Sequence, residues 1–152
     1  YLYRLATLEL IAFTHNLIII IVVLAGFAIL PGKYFLLSII GIILLVVLTT
    51  STALVFGIIS TRYRDFPPII QAFMRPMMFL TPVIWNADMF PDRAAFVYLN
   101  PFYHIIEICR APLLGKPTDI MSWVIVAGLT LFMILLSVML FSRYRHRIAY
   151  WV

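Results

Sequence analysis

Apolar residues in this chain fall into long runs rather than short amphipathic pieces. Four stretches, 10–30, 34–60, 66–85 and 120–141, each reach about the 20 residues that ~30 Å of hydrocarbon requires at ~1.5 Å of helical rise per residue. Strict apolar–polar alternation is missing, so the pattern predicts an all-α polytopic membrane bundle rather than a closed barrel. His15 and Asn16 stand near the start of the first span, and Pro31-Gly32 ends it. The second half of the next span is rich in small and hydroxyl residues (Thr49, Thr50, Ser51, Thr52, Ala53, Gly57), which predicts that it faces another helix. Pro67-Pro68 opens the third, which carries Arg75-Pro76 at mid-depth and Pro82 near its end. The fourth is almost unbroken.

Between the third and fourth spans the pattern changes. Asn86 or Asp88 as a cap and Pro91 as an opening residue predict a short helix over 91–99; Asn100 as cap and Pro101 as first residue predict another over 101–110. Ala111-Pro112 and Gly115-Lys116-Pro117 are its expected stops. Neither piece can cross a bilayer, yet Phe90, Phe96, Tyr98, Phe102, Ile105 and Ile108 are too apolar to lie free in water. The expected placement is a re-entrant pair dipping between the spans as an external gate.

Composition sharpens this picture. The 152 residues are 64% hydrophobic and 11% charged, which excludes an ordinary water-soluble domain. Cys109, a single cysteine, has no disulfide partner and no zinc-spaced histidines, so redox chemistry and structural zinc are set aside. The chain begins Tyr1-Leu2-Tyr3-Arg4, which reads as a fragment of something longer. Its net charge of +5 reads first as orientation. Arg4, Arg62, Arg64, Arg143, Arg145 and Arg147 fall on one side of the four spans, against Glu9 and Asp65. Lys33, Arg93, Arg110 and Lys116 on the other side are balanced by Asp88, Asp92, Glu107 and Asp119. The positive-inside rule makes the first side, with both ends of the chain, cytoplasmic.

Candidate chemistry is sparse. Gly115-Lys116 followed by Thr118 resembles the end of a phosphate-cradling loop, but Pro117 intervenes and Arg110 stands where its first glycine belongs. His104 and Glu107, three apart on one helix face, are an acid–base or metal pair on one reading. On the other they are a partly solvated polar face, with Glu107 paired to Arg110 or His104. His15 is either a proton relay or an interfacial group bonded to a neighbouring helix. Arg75 costs at least about 2.5–3.5 kcal/mol at mid-membrane, so it faces an acidic partner, a carbonyl freed by Pro76 or a wet pathway; it contacts an anionic substrate on one reading, and makes a structural bond or snorkels toward an interface on the other. Tyr34, Trp85, Tyr98, Tyr103 and Trp123 form an interfacial belt; for Tyr98 and Tyr103, lining of a sugar path competes. The turn Arg62-Tyr63-Arg64-Asp65 is an orientation signal and helix cap, or a docking point for a cytoplasmic protein.

Three ordered motifs carry a resemblance: Arg62-Tyr63-Arg64-Asp65-Phe66-Pro67-Pro68-Ile69-Ile70-Gln71, Phe79-Leu80-Thr81-Pro82-Val83-Ile84-Trp85, and Asn100-Pro101-Phe102-Tyr103-His104-Ile105-Ile106-Glu107 with Arg110-Ala111-Pro112-Leu113-Leu114-Gly115. Together they resemble the permease subunit of bacterial type-2 ABC exporters of polysaccharides, most of all the lipopolysaccharide O-antigen class. The resemblance implies that residues 1–152 correspond to the C-terminal part of a six-span permease lacking its first two spans. It implies a homodimer in the bacterial inner membrane, joined to two cytoplasmic ATPase subunits that hold ATP and magnesium, and moving a lipid-linked glycan outward. This chain would then be a transporter subunit rather than an enzyme, with no cofactor, metal or nucleic acid of its own. Arg75, Trp85, Tyr98, Asn100, Phe102, Tyr103, His104, Glu107 and Arg110 would belong to the path and gate. Arg4, Arg62, Tyr63, Arg64 and Asp65 would face the ATPase.

Overall fold

The computed structural model describes residues 2–26, 32–82 and 98–151. Among the described residues five helices follow one another: α1 (Leu2–Gly26), α2 (Phe35–Arg62), α3 (Phe66–Leu80), α4 (Pro101–Leu113) and α5 (Ile120–Trp151). The expected all-helical bundle is what the chain forms. Phe35–Arg62 and Ile120–His146 are, among the described residues, the two helices long and apolar enough to cross a membrane. At ~1.5 Å per residue α2 is about 42 Å long and α5 about 48 Å.

Several boundaries differ from expectation for local reasons. α1 starts at Leu2 rather than near residue 10, because nothing between Tyr3 and Leu10 breaks a helix; His15 and Asn16 lie within it, exposed. α3 ends at Leu80, short of residue 85, because Pro82 drives the preceding Thr81 into an extended conformation (φ −92°, ψ 131°). α5 runs ten residues past 141, straight through the basic cluster, since no glycine or proline follows Phe141 and arginine is a good helix former. The first expected gate helix, 91–99, lies outside the described residues except for its last two positions.

The core is built by α2, α4 and α5. Buried positions on α2 (Ser38, Gly41, Leu48, Ser51, Val55, Ile58) recur at intervals of three, four and seven, tracing one seam along the helix. The seam of α5 carries Ser122, Val126, Thr130 and Ser137. Leu48, Ile108 and Val126 form the centre, with Leu44, Ile105, Cys109, Trp123, Leu129 and Met133 packed around them. The large apolar side chains of Ile43, Val47, Leu131 and Leu135 point outward instead. This inverts a soluble protein: small residues and hydroxyls line the helix contacts because lipid offers the large side chains an equally apolar surrounding. Buried hydroxyls bond back to their own helix, as in Ser38 to Phe35 O (2.6 Å), Thr130 to Val126 O (2.7 Å) and Ser137 to Ile134 O (2.8 Å). The expectation that the second half of α2 faces a helix holds for Ser51, Val55 and Ile58, whereas Thr49, Thr50 and Ala53 are exposed.

α4 comes close to α2 at Gly41. A Cβ there would stand 2.7 Å from the carbonyl oxygen of Ile108, so only glycine lets α4 lie against α2 at this point. That carbonyl lacks its intrahelical partner, because the residue four places on is Pro112, which has no N–H. Pro112 was an expected stop, yet α4 passes through it. The helix ends instead at Leu113, closed by Gly115 in the left-handed region (φ 72°), with Gly115 N–H bonded to Pro112 O (3.1 Å) and Lys116 N–H to Ala111 O (2.9 Å).

Candidate functional site

The polar groups that the structure brings together lie where α3 ends and α4 and α5 begin. Asn100 precedes Pro101, and its extended backbone (φ −83°, ψ 114°) leaves the side chain free to cap α4: Oδ1 accepts from Phe102 N–H at 3.0 Å. The amide's other end reaches away from α4, where Nδ2 donates to Thr81 Oγ1 at 3.1 Å. Thr81 is 3% exposed, and its own hydroxyl donates to Met77 O at 2.8 Å, so it can accept from Asn100 while bonded within α3. One amide thus joins the last turn of α3 to the first turn of α4.

His104 lies one turn further along α4 and is 2% exposed. Nε2 is 2.8 Å from the carbonyl of Tyr98 and Nδ1 is 2.9 Å from Ser122 Oγ. A carbonyl only accepts, so Nε2 carries a hydrogen and donates it; in the neutral ring Nδ1 accepts from the serine hydroxyl. The expectation of a partly solvated histidine paired to Glu107 is therefore corrected: burial left His104 needing two protein partners, and the start of α5 and the backbone before α4 supply them. With both nitrogens so committed, His104 positions α4 and has no open nitrogen for acid–base or metal chemistry. Among the described residues no three of His, Cys, Asp and Glu converge as metal ligands.

An aromatic chain runs beside these bonds. Tyr98 and Tyr103 meet edge to face at 5.5 Å, and Tyr103 meets the His104 ring at 5.2 Å. Tyr98 is exposed, Phe102, Tyr103 and Glu107 are half-buried, and Arg110 is exposed. These residues share α4 and the segment leading into it. Arg75 stands apart, exposed on α3, a helix that buries none of its own residues. Trp85 lies outside the described residues. On α4 burial also pushes the Cys109 thiol up to about 11, keeping it neutral.

The second group of expected residues forms the turn between α2 and α3. Arg62, Tyr63, Arg64 and Asp65 are all exposed. Tyr63 N–H bonds to Ile59 O at 2.9 Å and Phe66 N–H to Tyr63 O at 3.1 Å. The Arg62 guanidinium lies 5.5 Å from the Tyr63 ring, and Phe66 meets Phe56 of α2 edge to face at 5.4 Å. Asp65 stands at the cap position of α3, but its side chain makes no capping bond, so the helix-cap reading of this turn does not hold. The side chain of Arg4 lies outside the described residues.

Sequence reasoning missed Thr81, Ser122 and Gly41. Gly41 had a signal, as the one glycine in the run Leu36 to Val47. Thr81 and Ser122 had none, because nothing local distinguishes a hydroxyl that meets a distant helix from one that does not.

No curated protein and no solved structure matches the chain. Residues 6–114, well over half of it and including α2, α3, α4 and the Asn100–Thr81 contact, match the family described as ABC-2 type transporter. With two long apolar helices and this match, the chain is a membrane component of an ABC transporter, a permease that works with an ABC ATPase, and it belongs to the ABC-2 type transporter family.

Proposed function

We propose that this permease moves a lipid-linked polysaccharide of the O-antigen type outward across the bacterial inner membrane, as a pair of subunits driven by two cytoplasmic ATPases. The observation that best supports the reading is α4 itself. It is a helix of 13 residues, too short to span, pinned across α2 and α5 with an edge of aromatic side chains at its start. Such a helix suits a gate that shifts as a rigid piece. Tyr98, Phe102 and Tyr103 offer faces on which sugar rings stack, Glu107 and Arg110 offer charge and hydrogen bonds on α4, and Arg75, apart on α3, is assigned to the path as well. Asn100 and His104 hold the gate in place, and Trp85 is assigned to the same path. Weak, repeated contacts suit a polymer that must keep moving, and no covalent step is asked of any residue here.

Arg62, Tyr63, Arg64 and Asp65, with Arg4, are assigned to the ATPase side, which the excess of arginine makes cytoplasmic. In a strain lacking its own polysaccharide exporter, the complete subunit with its ATPase is expected to restore surface polymer. Tyr98→Ala with Tyr103→Ala is expected to reduce it severalfold while leaving ATPase binding intact. Restoration of drug or lipid efflux without polymer would replace the polysaccharide with another substrate.

A further inference from the structure

We infer that the Thr81–Asn100 hydrogen bond is the latch through which α3 drives α4, making Thr81 and Asn100 positioning residues for transport. This rests on the reading of α4 as a gate and on the ATPase partner that the family implies; it does not depend on the glycan. α3 has the form of a lever. None of its residues from Phe66 to Leu80 is buried, and Ile69, Phe73 and Met78 are more than half exposed. At one end it leaves the exposed turn at Tyr63 to Asp65; at the other it is held by buried Thr81 and Pro82. A helix so lightly packed along its length moves as a unit when the turn before it is pushed.

The bond at the held end is direct although the two residues are 19 apart in the chain. Asn100 is suited to the task because its amide has two different ends. Oδ1 stays on Phe102 N–H as the cap of α4 while Nδ2 reaches Thr81, so a displacement of α3 bears on the first turn of α4 itself. Motion of that turn passes through His104 to Ser122 at the start of α5. Gly41 against Ile108 supplies the near-contact about which α4 turns. Aspartate or serine would cap α4 as well as asparagine does, but neither carries the amide donor.

The test uses the complete permease assembled with its ATPase, without glycan, carrying Cys109→Ser and a reporter at Leu114→Cys on the exposed end of α4. The expected result is that ATP changes the rate of maleimide labelling at the reporter. Thr81→Val and Asn100→Asp are each expected to shrink that response about tenfold, the worth of one part-buried hydrogen bond. Thr81→Ser, which keeps the hydroxyl, retains it, and the double variant is no worse than either single one. ATP hydrolysis continues in all of them. The latch is overturned if the parent shows no ATP response, if Thr81→Val and Asn100→Asp respond as the parent does, or if Thr81→Ser loses the response too. Should Thr81→Val fail to assemble, Asn100→Asp, which keeps the helix cap, decides the matter alone. A different exported substrate would unseat the polysaccharide reading and leave this result standing.

Discussion

At the scale of single residues, two of the contacts that hold α4 each invite a paired measurement. Gly41→Ala sets a methyl group 2.7 Å from the Ile108 carbonyl, a backbone atom that cannot swing aside, so the helices must part. A loss of about 1–3 kcal/mol is expected, read as a lower unfolding midpoint in detergent. Gly128→Ala is the control: nothing lies within 4 Å of its added Cβ, and the gain in helix propensity is expected to leave stability equal or up to about 1 kcal/mol higher. At His104, Ser122→Ala strands the Nδ1 lone pair at a cost of about 1–3 kcal/mol. Introduced after His104→Phe the same change should cost almost nothing, and an additive pair would mean that the bond contributes little. His104 was visible in the sequence as a polar residue in an aromatic helix. Its burial was not, because a histidine that faces water and one that faces a serine on another helix share the same neighbours in the chain.

At the scale of elements, α4 was legible at its start and misread at its end. Asn100-Pro101 is a local signal and works as one, since the cap and the missing N–H act on adjacent residues. Pro112 is just as local a signal for a stop, yet tertiary packing outweighs it: Pro112 is buried and its freed carbonyl partner settles on Gly41. Cysteines placed singly along α4 should follow this geometry. Positions 104, 108, 111 and 112 are expected to resist a membrane-impermeant maleimide, while 101 and 110 label readily; uniform labelling would mean a helix lying loose in water. The native Cys109 adds a pH test. With its thiol pushed up to about 11, alkylation near neutral pH should be slow and should keep climbing about tenfold per pH unit beyond pH 9.0, whereas a profile that levels off near 9.0 would mean an ordinary thiol. The turn after α2, read as a polar loop with both charge signs, is exposed, and Arg64→Glu or Asp65→Arg is expected to reduce recovery of the ATPase in co-purification.

At the scale of the whole molecule, what matters is which way each apolar helix turns. The long apolar runs and the proline and asparagine punctuation determined by themselves that the chain is a helical membrane bundle with a short interrupted segment before its last helix. They acted locally, through hydrocarbon thickness and backbone hydrogen bonding, so neighbouring residues were enough to read them. They said little about facing. In lipid both sides of a helix are apolar, so the periodicity that marks the inner face of a soluble helix is lost, and small residues marked the contacts only in part. Tertiary structure alone decided that Gly41 meets Ile108, that Ser122 completes His104, and that Thr81 accepts from Asn100. Each joins groups far apart in the chain, and the choice among many equivalent hydroxyls and glycines was made by close packing, which no local pattern records.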